Sequence, residues 1–404
     1  MKKIKSFVSL ALCFCLLFGF SVWTGAETVK KDELSLDCKG AVLMDMRSGE
    51  VLYSKDENEK VSPASITKVM SLILVMEQLE SGKISLKDEV SASKTAVSMG
   101  GSQIWLKEGE KMSVDEMLKA VVVSSANDAC TALGEFVAGS SEGFVSLMNK
   151  KAKELGMKNT NFENCTGLDD EAENHYSTAL DVALMSRELM KYDLIKNYTT
   201  IWMDSLRNGE TMLVNTNKLV RSYDGCIGLK TGTTTKAGFC VTAVAEREGT
   251  RLCSVILGAK TGDERFEQAA KLLNFGFANF ETASPEVDLS QSGEVKVRRG
   301  MKTDAEIALA EPNPSFTTEK GKKDEIKTKI SLKNSVEAPL SKGEVLGRAE
   351  FYLDNKLIGS VDIVNTEEIE RLSFFEALRR LLSSLVNSDL CHPLRVAKSE
   401  FSEY

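Results

Sequence analysis

Short apolar blocks, in which hydrophobic residues run together or alternate with polar ones, occur at both ends of the first 284 residues. Residues 41–46 and 50–53 are two such blocks, and the Arg-Ser-Gly segment at 47–49 predicts a hairpin turn between them. Residues 239–245 and 251–258 form a second pair, separated by a Glu-Gly turn. The pattern predicts early and late strands that join in one sheet.

Between these strands, apolar positions recur at helical spacing. The helix predicted over 65–79 is apolar almost all round its surface, which indicates a central, buried helix. Further helices are predicted over 114–123, 126–137, 143–155, 178–190 and, after the last strand, 264–277. A sheet of early and late strands with a helical insert packed against it is a discontinuous α/β domain, which we place at 27–284.

The hydrophobic pattern changes at Ser284-Pro285. Four segments alternate apolar and polar residues between Gly, Pro and Asn-Lys turns, and no long helix fits there; the segments are 295–297, 326–330, 345–353 and 357–364. We predict a small all-β domain over 285–365. It contains no cluster of catalytic residue types, so we interpret it as a spacer or packing module.

Residues 366–386 predict an amphipathic helix, with Asn365 and Glu368 as a capping box. Apolar residues recur at helical spacing opposite a polar face with three arginines; they are Phe374, Phe375, Leu378, Leu381, Leu382 and Leu385. Such a helix can lie in a membrane interface with its basic residues toward lipid headgroups, and the alternative is a helix docked on its own protein. The tail at 387–404 shows no interpretable pattern.

The first 26 residues have the pattern of a secretory signal peptide. Lys2, Lys3 and Lys5 precede an apolar stretch over 7–23, and small residues follow at Gly25-Ala26. The alternative is an uncleaved membrane anchor, because the apolar stretch is long for a signal. Either interpretation predicts an exported protein at the outer face of the cytoplasmic membrane or in the cell wall.

Composition narrows the function classes. A net charge of −8 without a dense Lys/Arg stripe argues against a nucleic-acid partner. The chain has only two histidines, His175 and His392, so a zinc peptidase site built on several histidines is excluded. We predict neither a metal nor another cofactor.

Ser65 and Lys68 are the first pair of residues that suggests catalysis. They stand three residues apart at the head of the predicted central helix, which puts a hydroxyl and an amine on one helical face. A serine hydroxyl needs a base to become a good nucleophile, and with so few histidines a neutral lysine is the strong candidate. Spacing alone is weak evidence, since Ser91 and Lys94 repeat it in a polar segment.

Two further motifs raise the specificity. Ser125-Ala126-Asn127 is the only Ser-x-Asn in the chain, and it heads a predicted helix, where it could relay protons and hold a carbonyl or else form an ordinary N-cap. Lys230-Thr231-Gly232-Thr233 precedes a predicted strand, where Lys230 supplies positive charge, Thr231 can bind a carboxylate and Gly232 allows a substrate backbone to lie close. A second copy at 260–262 reads better as a turn.

Together, Ser-x-x-Lys, Ser-x-Asn and Lys-Thr-Gly are the recognised set of β-lactamases and penicillin-binding proteins. In this order and spacing the chain resembles the serine D-alanyl-D-alanine carboxypeptidases of the S11 type, the low-molecular-mass penicillin-binding proteins. Similar stretches are 63–68, 175–179 and 228–232, and the likeness extends over the signal, catalytic domain, β domain and terminal helix. It implies an α/β fold of the β-lactamase/transpeptidase type, with an antiparallel sheet and a mostly helical insert.

The resemblance also implies roles. Ser65 would be the nucleophile, Lys68 its base, with a pKa lowered by burial and by Lys230, and Ser125 the proton relay. Asn127 would bind the peptide carbonyl of the substrate, and Lys230 and Thr231 would bind its terminal carboxylate. Gly232 and Thr233 would form the cleft wall, and the N–H groups of Ser65 and Thr233 would form the oxyanion hole. Arg265 would have an auxiliary role, for which a surface salt bridge is an equal alternative.

The reaction implied is removal of the terminal D-Ala from a peptidoglycan stem peptide ending in D-Ala-D-Ala, through an acyl-enzyme that β-lactam antibiotics also form. Two alternatives stay open from the sequence. One is a β-lactamase of the same fold, which would need a second base for deacylation, and the other is a penicillin- or wall-binding protein that has lost activity.

Overall fold

The computed structural model describes residues 34–168 and 172–387, and for residues 384–387 it describes the backbone alone. The predicted signal peptide and the tail beyond residue 387 lie outside this range. The chain divides into two compact units between Phe280 and Glu281, whereas the sequence placed the division at 284/285.

The first unit is built on an antiparallel sheet. Its strands are β1 (Gly40–Asp45), β2 (Val51–Lys55), β3 (Glu89–Ser91), β4 (Lys111–Ser113), β5 (Met203–Leu206), β6 (Thr211–Val214), β7 (Cys226–Thr234), β8 (Gly238–Arg247) and β9 (Thr250–Ala259). Five of them pair in the order β2-β1-β9-β8-β7, all antiparallel, and β3–β4 and β5–β6 form two small ribbons. The prediction that early and late strands share one sheet is confirmed, and β7 is an edge strand.

Nine helices accompany these strands in the described part of the first unit: α1 (Lys68–Glu80), α2 (Lys94–Val97), α3 (Val114–Val123), α4 (Asn127–Ala138), α5 (Ser141–Glu154), α6 (Ala179–Leu189), α7 (Asp193–Thr199), α8 (Leu219–Ser222) and α9 (Gly262–Asn279). The long predicted helices are all present. The 3₁₀ turn Ala64–Thr67 leads directly into α1.

The sheet separates two hydrophobic cores. Successive side chains of a strand point to opposite faces, and in β1 Val42 and Met44 join the core around α1, while Ala41 and Leu43 join the core beneath α9. Helix α1 is buried from Lys68 to Met76, as its apolar circumference predicts. The Ser65-x-x-Lys68 motif therefore leads into a helix that is buried on every side over its first nine residues.

Up to residue 387, the second unit is all-β apart from a short 3₁₀ turn at Lys323–Glu325 and the helix described below, which confirms the predicted class. Its strands are β10 (Phe280–Ala283), β11 (Val295–Arg298), β12 (Asp304–Ala305), β13 (Ile307–Leu309), β14 (Phe316–Glu319), β15 (Lys327–Leu332), β16 (Ser335–Glu337), β17 (Val345–Leu353) and β18 (Lys356–Asn365). They form sheets in the orders β13-β18-β17-β15, β12-β11-β16 and β10-β14.

The last helix, α10, runs from Phe374 to Asn387 and so begins later than the predicted 366. The predicted capping box is wrong, because Asn365 is a buried residue at the end of β18 whose side chain binds the Ser341 carbonyl. The cap is Ser373, whose hydroxyl accepts a hydrogen bond from the Glu376 amide. Among the described helices, none has the length and apolar character needed to cross a membrane.

Candidate active site

Ser65 lies in the tight turn that precedes α1. Ala64 before it has a φ of 48°, a left-handed conformation that turns the chain sharply. Ser65 is half-buried, and Lys68, the first residue of α1, is fully buried. The Lys68 Nζ lies 2.9 Å from the Ser65 Oγ, so the hydroxyl and amine are in direct contact, as their spacing predicts.

Gly232 on β7 fits against this turn. A Cβ at Gly232 would lie 2.8 Å from the Pro63 oxygen and 3.0 Å from both the Ala64 Cβ and the Ser65 nitrogen. The glycine is therefore needed for the close approach of the turn to the edge strand. From the sequence, Gly232 was expected to allow a substrate backbone to lie close. In the structure it is the turn containing Ser65 that lies close to Gly232.

The Lys68 amine is held between two oxygens, the Ser65 hydroxyl and the Thr166 carbonyl, the latter at 2.8 Å. Burial lowers the pKa of Lys68 to about 8, opposed by nearby Cys130, Cys165 and Asp128. Burial is the dominant cause of this lowering. The repulsion between the charges of Lys68 and Lys230 is seen in the lowered pKa of Lys230. A sizeable neutral fraction of Lys68 therefore exists near neutral pH.

The loop carrying Thr166 was missed by the sequence analysis. The Asn164 Oδ1 accepts hydrogen bonds from the amides of Thr166 and Gly167, at 3.1 and 2.7 Å, and so folds the loop onto itself. Gly167, at a φ of 83°, packs against the Ala64 carbonyl, where no Cβ could fit. The signal for this loop was the Asn-x-Thr-Gly sequence, which is turn chemistry.

His175 fastens the same loop to the start of α1. Its Nδ1 accepts a hydrogen bond from the Glu163 amide at 3.0 Å, so its Nε2 carries the proton and donates to the Thr67 Oγ1 at 2.8 Å. The ring is buried. The segment 175–179 is one of the stretches that resemble the family. Its histidine helps to position the turn that contains Ser65.

Ser125 and Asn127 lie where α4 begins. Ser125 is buried with a φ of 63°, and neither residue is the N-cap, a position that belongs to Ala126 without a side-chain cap bond. The Asn127 Nδ2 donates to the Gly100 carbonyl at 2.7 Å, and its Oδ1 is buried without a hydrogen-bond partner among the described residues. The N-cap alternative is therefore wrong.

Lys230 and Thr231 form the buried middle of β7. The Thr231 hydroxyl donates to the Thr216 Oγ1 at 2.8 Å, and the Lys230 Nζ donates to the Thr231 carbonyl at 3.1 Å. Burial, with smaller contributions from the charges of Lys68 and Arg265, lowers the pKa of Lys230 well below its ordinary value. Thr216 was not identifiable from sequence, because it lies in the irregular segment after β6, fifteen residues before Thr231.

Arg265, near the start of α9, faces β7. Its Nη1 donates to the Thr233 Oγ1 at 2.8 Å and to the carbonyls of Gly232 and Cys240 at 3.1 and 3.3 Å. Its guanidinium also lies over the Phe266 ring, 4.7 Å from the centroid. These contacts favour the auxiliary role over a surface salt bridge, since Arg265 braces the threonine that follows Lys-Thr-Gly.

The duplicate motifs have structural places. Ser93 caps α2, which begins at Lys94, and Thr261 caps α9, accepting a hydrogen bond from the Glu264 amide. Interpreting the second Lys-Thr-Gly as a turn into a helix is confirmed. The candidate site therefore consists of one copy of each motif, gathered between α1, the start of α4 and β7.

Comparison with known proteins agrees with this geometry. Residues 26–261 match the family profile described as D-alanyl-D-alanine carboxypeptidase, peptidase S11, and residues 280–371 match the C-terminal domain of penicillin-binding protein 5. The D-alanyl-D-alanine carboxypeptidase DacF of Bacillus subtilis is 41% identical over 387 residues, covering 95% of this chain and 98% of the relative.

Solved structures show the same likeness. Penicillin-binding protein 5 from Haemophilus influenzae aligns with a TM-score of 0.71 at 32% identity, over 83% of this chain and 98% of that one. Penicillin-binding protein D2 from Listeria monocytogenes, in an ampicillin-bound form, aligns with a TM-score of 0.56 at 31% identity, over 60% and 99% respectively.

A fold of this type with a serine-lysine pair beside a Lys-Thr-Gly strand defines a serine acyl-transfer hydrolase. The chain belongs to the D-alanyl-D-alanine carboxypeptidase family of S11 peptidases.

Proposed function

We propose that this protein removes the terminal D-Ala from peptidoglycan stem peptides outside the cytoplasm, with Ser65 as nucleophile. The observation that carries the proposal is the contact of Ser65 Oγ with a buried Lys68 amine, beside an edge strand that bears Lys-Thr-Gly. An edge strand can pair with an extended peptide, which places the last peptide bond over the serine.

In the acylation step, the Ser65 Oγ attacks the carbonyl carbon of the penultimate D-Ala while its proton passes to neutral Lys68. The proton on Lys68 then passes by way of the Ser125 hydroxyl, which gives up one proton and takes one, to the nitrogen of the leaving D-Ala, and the C–N bond breaks. Water hydrolyses the ester that remains. The backbone N–H groups of Ser65 and Thr233 supply the oxyanion hole, since Gly232 brings the two chain segments together.

The two buried lysines need different charge states in this mechanism. Burial and, to a smaller extent, the charges of Lys68 and Arg265 lower the pKa of Lys230, so the two buried amines compete for protons in the unliganded site. A substrate carboxylate at Lys230 and Thr231 favours the charged form of Lys230. The shared proton then resides on Lys230, and Lys68 is left neutral as the base.

The Lys68 surroundings favour a carboxypeptidase over a β-lactamase. The second oxygen that the Lys68 amine contacts is the Thr166 main-chain carbonyl, which cannot act as a base. Glu163, in the same loop, accepts a hydrogen bond from the Asn174 amide. We therefore expect β-lactams to acylate Ser65 and to be released slowly.

Release of D-Ala from a stem pentapeptide tests the proposal. Wild type should release it and Ser65→Ala should not, while Ser91→Ala, at the exposed serine of the duplicate Ser-x-x-Lys, should retain the activity. Absence of release by wild type would refute the carboxypeptidase function. Rapid turnover of a chromogenic penicillin would favour the β-lactamase alternative.

We also propose that α10 attaches the protein to a membrane surface. Phe374 and Phe375 are 75% and 81% exposed, and Leu378, Leu381 and Leu382 are exposed on the same helix. The Arg380 guanidinium instead donates to the Met301 carbonyl, so this side of the helix faces its own unit. An amphipathic helix with an exposed apolar face is suited to the membrane interface.

Co-sedimentation with phosphatidylglycerol vesicles measures this attachment. Phe374→Asp with Phe375→Asp should abolish binding, because charge on the apolar face opposes insertion, whereas Ser383→Asp should weaken it far less. Equal binding by all three proteins would contradict the proposal.

A further inference from the structure

Trp105 is the most exposed large apolar side chain among the described residues up to Phe280, with 74% of its surface accessible. It has a φ of 59°, a conformation that is strained for an aromatic residue. Because the Trp105 side chain is exposed, burial of its ring does not compensate for the strained backbone. Other interactions must hold this conformation.

The strain is held by buried groups on both sides of Trp105. The buried Asp128 carboxylate accepts hydrogen bonds from the amides of Ile104 and Leu106, at 3.1 and 3.0 Å from Oδ2. The Arg207 guanidinium donates to the Ile104 carbonyl at 2.9 Å. The backbone of this loop is therefore fixed, and the indole is presented to solvent in one place.

The same loop forms part of the wall at Asn127. The Asn127 side chain donates to the Gly100 carbonyl, and its backbone amide donates to the Ser102 carbonyl, both at 2.7 Å. Asp128, which follows Asn127 directly, holds the Trp105 segment. One loop thus joins the residue assigned to the substrate carbonyl to the exposed indole.

The β5–β6 ribbon also carries exposed apolar side chains. Arg207 Nη1 donates both to the Ile104 carbonyl, at 2.9 Å, and to the Thr211 Oγ1, at 2.7 Å, so the residue before Trp105 and the residue before Met212 contact one guanidinium. Met212, Val214 and Met203 are exposed on one face of the ribbon, since Met203 pairs with Val214. After β6 the chain reaches Thr216, which contacts Thr231.

We propose that Trp105 binds the aliphatic side chain of the residue preceding D-Ala-D-Ala in the stem peptide. The inference rests on the proposed function, in which Lys230 and Thr231 hold the carboxylate end and Asn127 the acyl end. The rest of the peptide then leaves the cleft past Asn127, along the loop that carries the indole. A flat, rigid aromatic face buries the methylene groups of such a side chain at little cost in entropy.

Two acylated tripeptides separate this contact from catalysis. The substrates are diacetyl-L-Lys-D-Ala-D-Ala, which has a long aliphatic side chain, and acetyl-Gly-D-Ala-D-Ala, which has none. Trp105→Ala should lower kcat/KM about tenfold for the lysine peptide and less than twofold for the glycine peptide. Trp105→Phe should restore most of the loss, and Phe136→Ala, an exposed aromatic at the far end of α4, should change neither value.

Equal losses on both peptides, or no loss on either, would overturn the proposal. The affinity of both peptides for Ser65→Ala and for the Ser65→Ala, Trp105→Ala double variant is measured by calorimetry. A selective loss of lysine-peptide affinity supports the contact even if wild type releases no D-Ala, an outcome that would refute only the proposed function.

Discussion

At the scale of single residues, the account depends on how two buried lysines share protons. Burial lowers the pKa of Lys68 to about 8 and the pKa of Lys230 well below its ordinary value, so both amines lose their protons at lower pH than exposed lysines do. A carboxylate-bearing ligand needs a proton on Lys230. A ligand without a carboxylate needs only neutral Lys68.

The pH dependence of acylation should therefore differ between benzylpenicillin and its methyl ester. For benzylpenicillin, kcat/KM should fall on the alkaline side, because the lowered pKa of Lys230 means that its proton is lost at lower pH than from an ordinary lysine. For the ester kcat/KM should rise as pH passes about 8, because Lys68 becomes neutral. Stopped-flow measurement of acyl-enzyme formation gives both pH profiles. Parallel profiles would contradict the assignment of the charge to Lys230 and of the neutral amine to Lys68.

Gly232 offers a steric test with an internal control. Gly232→Ala places a methyl group against Pro63 and the Ser65 amide, so we expect a loss of about 1–3 kcal/mol in the free energy of unfolding and about a hundredfold in acylation rate. Gly262→Ala, in the duplicate Lys-Thr-Gly, meets only Phe239 at an ordinary 3.5 Å and should be nearly neutral. Urea unfolding and penicillin labelling measure both effects, and comparable behaviour of the two variants would argue against the close packing.

At the scale of elements, the loop over residues 163–167 holds the Lys68 amine, which we propose to be the base. Asn164→Ala removes the acceptor that folds this loop, so we expect the Thr166 carbonyl to shift and the acylation rate to fall at least tenfold. Asn149→Ala, which breaks hydrogen bonds to Phe162 in the same segment, should cost similar stability but leave the acylation rate within about threefold. An equal loss of acylation rate in both variants would contradict a specific role of Asn164, because it would indicate that any weakening of this segment lowers the rate.

The sequence predicted the elements that follow from periodicity. Helix α1, the hairpin of β1 and β2, and strands β8 and β9 all have strong local patterns, and the three motifs fixed which residues meet. The contacts of Thr166 and Thr216 were not predictable, because each arises from loop geometry across distant parts of the chain. The start of α10 was misplaced because Asn365 and Glu368 mimic a cap that Ser373 and Glu376 provide.

At the scale of the whole molecule, we propose separate tasks for the two units. The first unit contains Ser65, Lys68 and the Lys-Thr-Gly strand, while the last described helix of the second unit exposes two phenylalanines to solvent. The division is consistent with the two family profiles, which match the two units separately. Catalysis should therefore be independent of substitutions at Phe374 and Phe375 when the substrate is a soluble peptide.

The central claim is that Ser65 alone carries the acyl group, and intact-protein mass spectrometry with benzylpenicillin tests it most directly. The account predicts one added penicilloyl group per chain, located by digestion in the peptide that contains Ser65, and no addition to Ser65→Ala. Labelling of Ser65→Ala to the same extent, or an adduct on a different serine of the wild type, would contradict it.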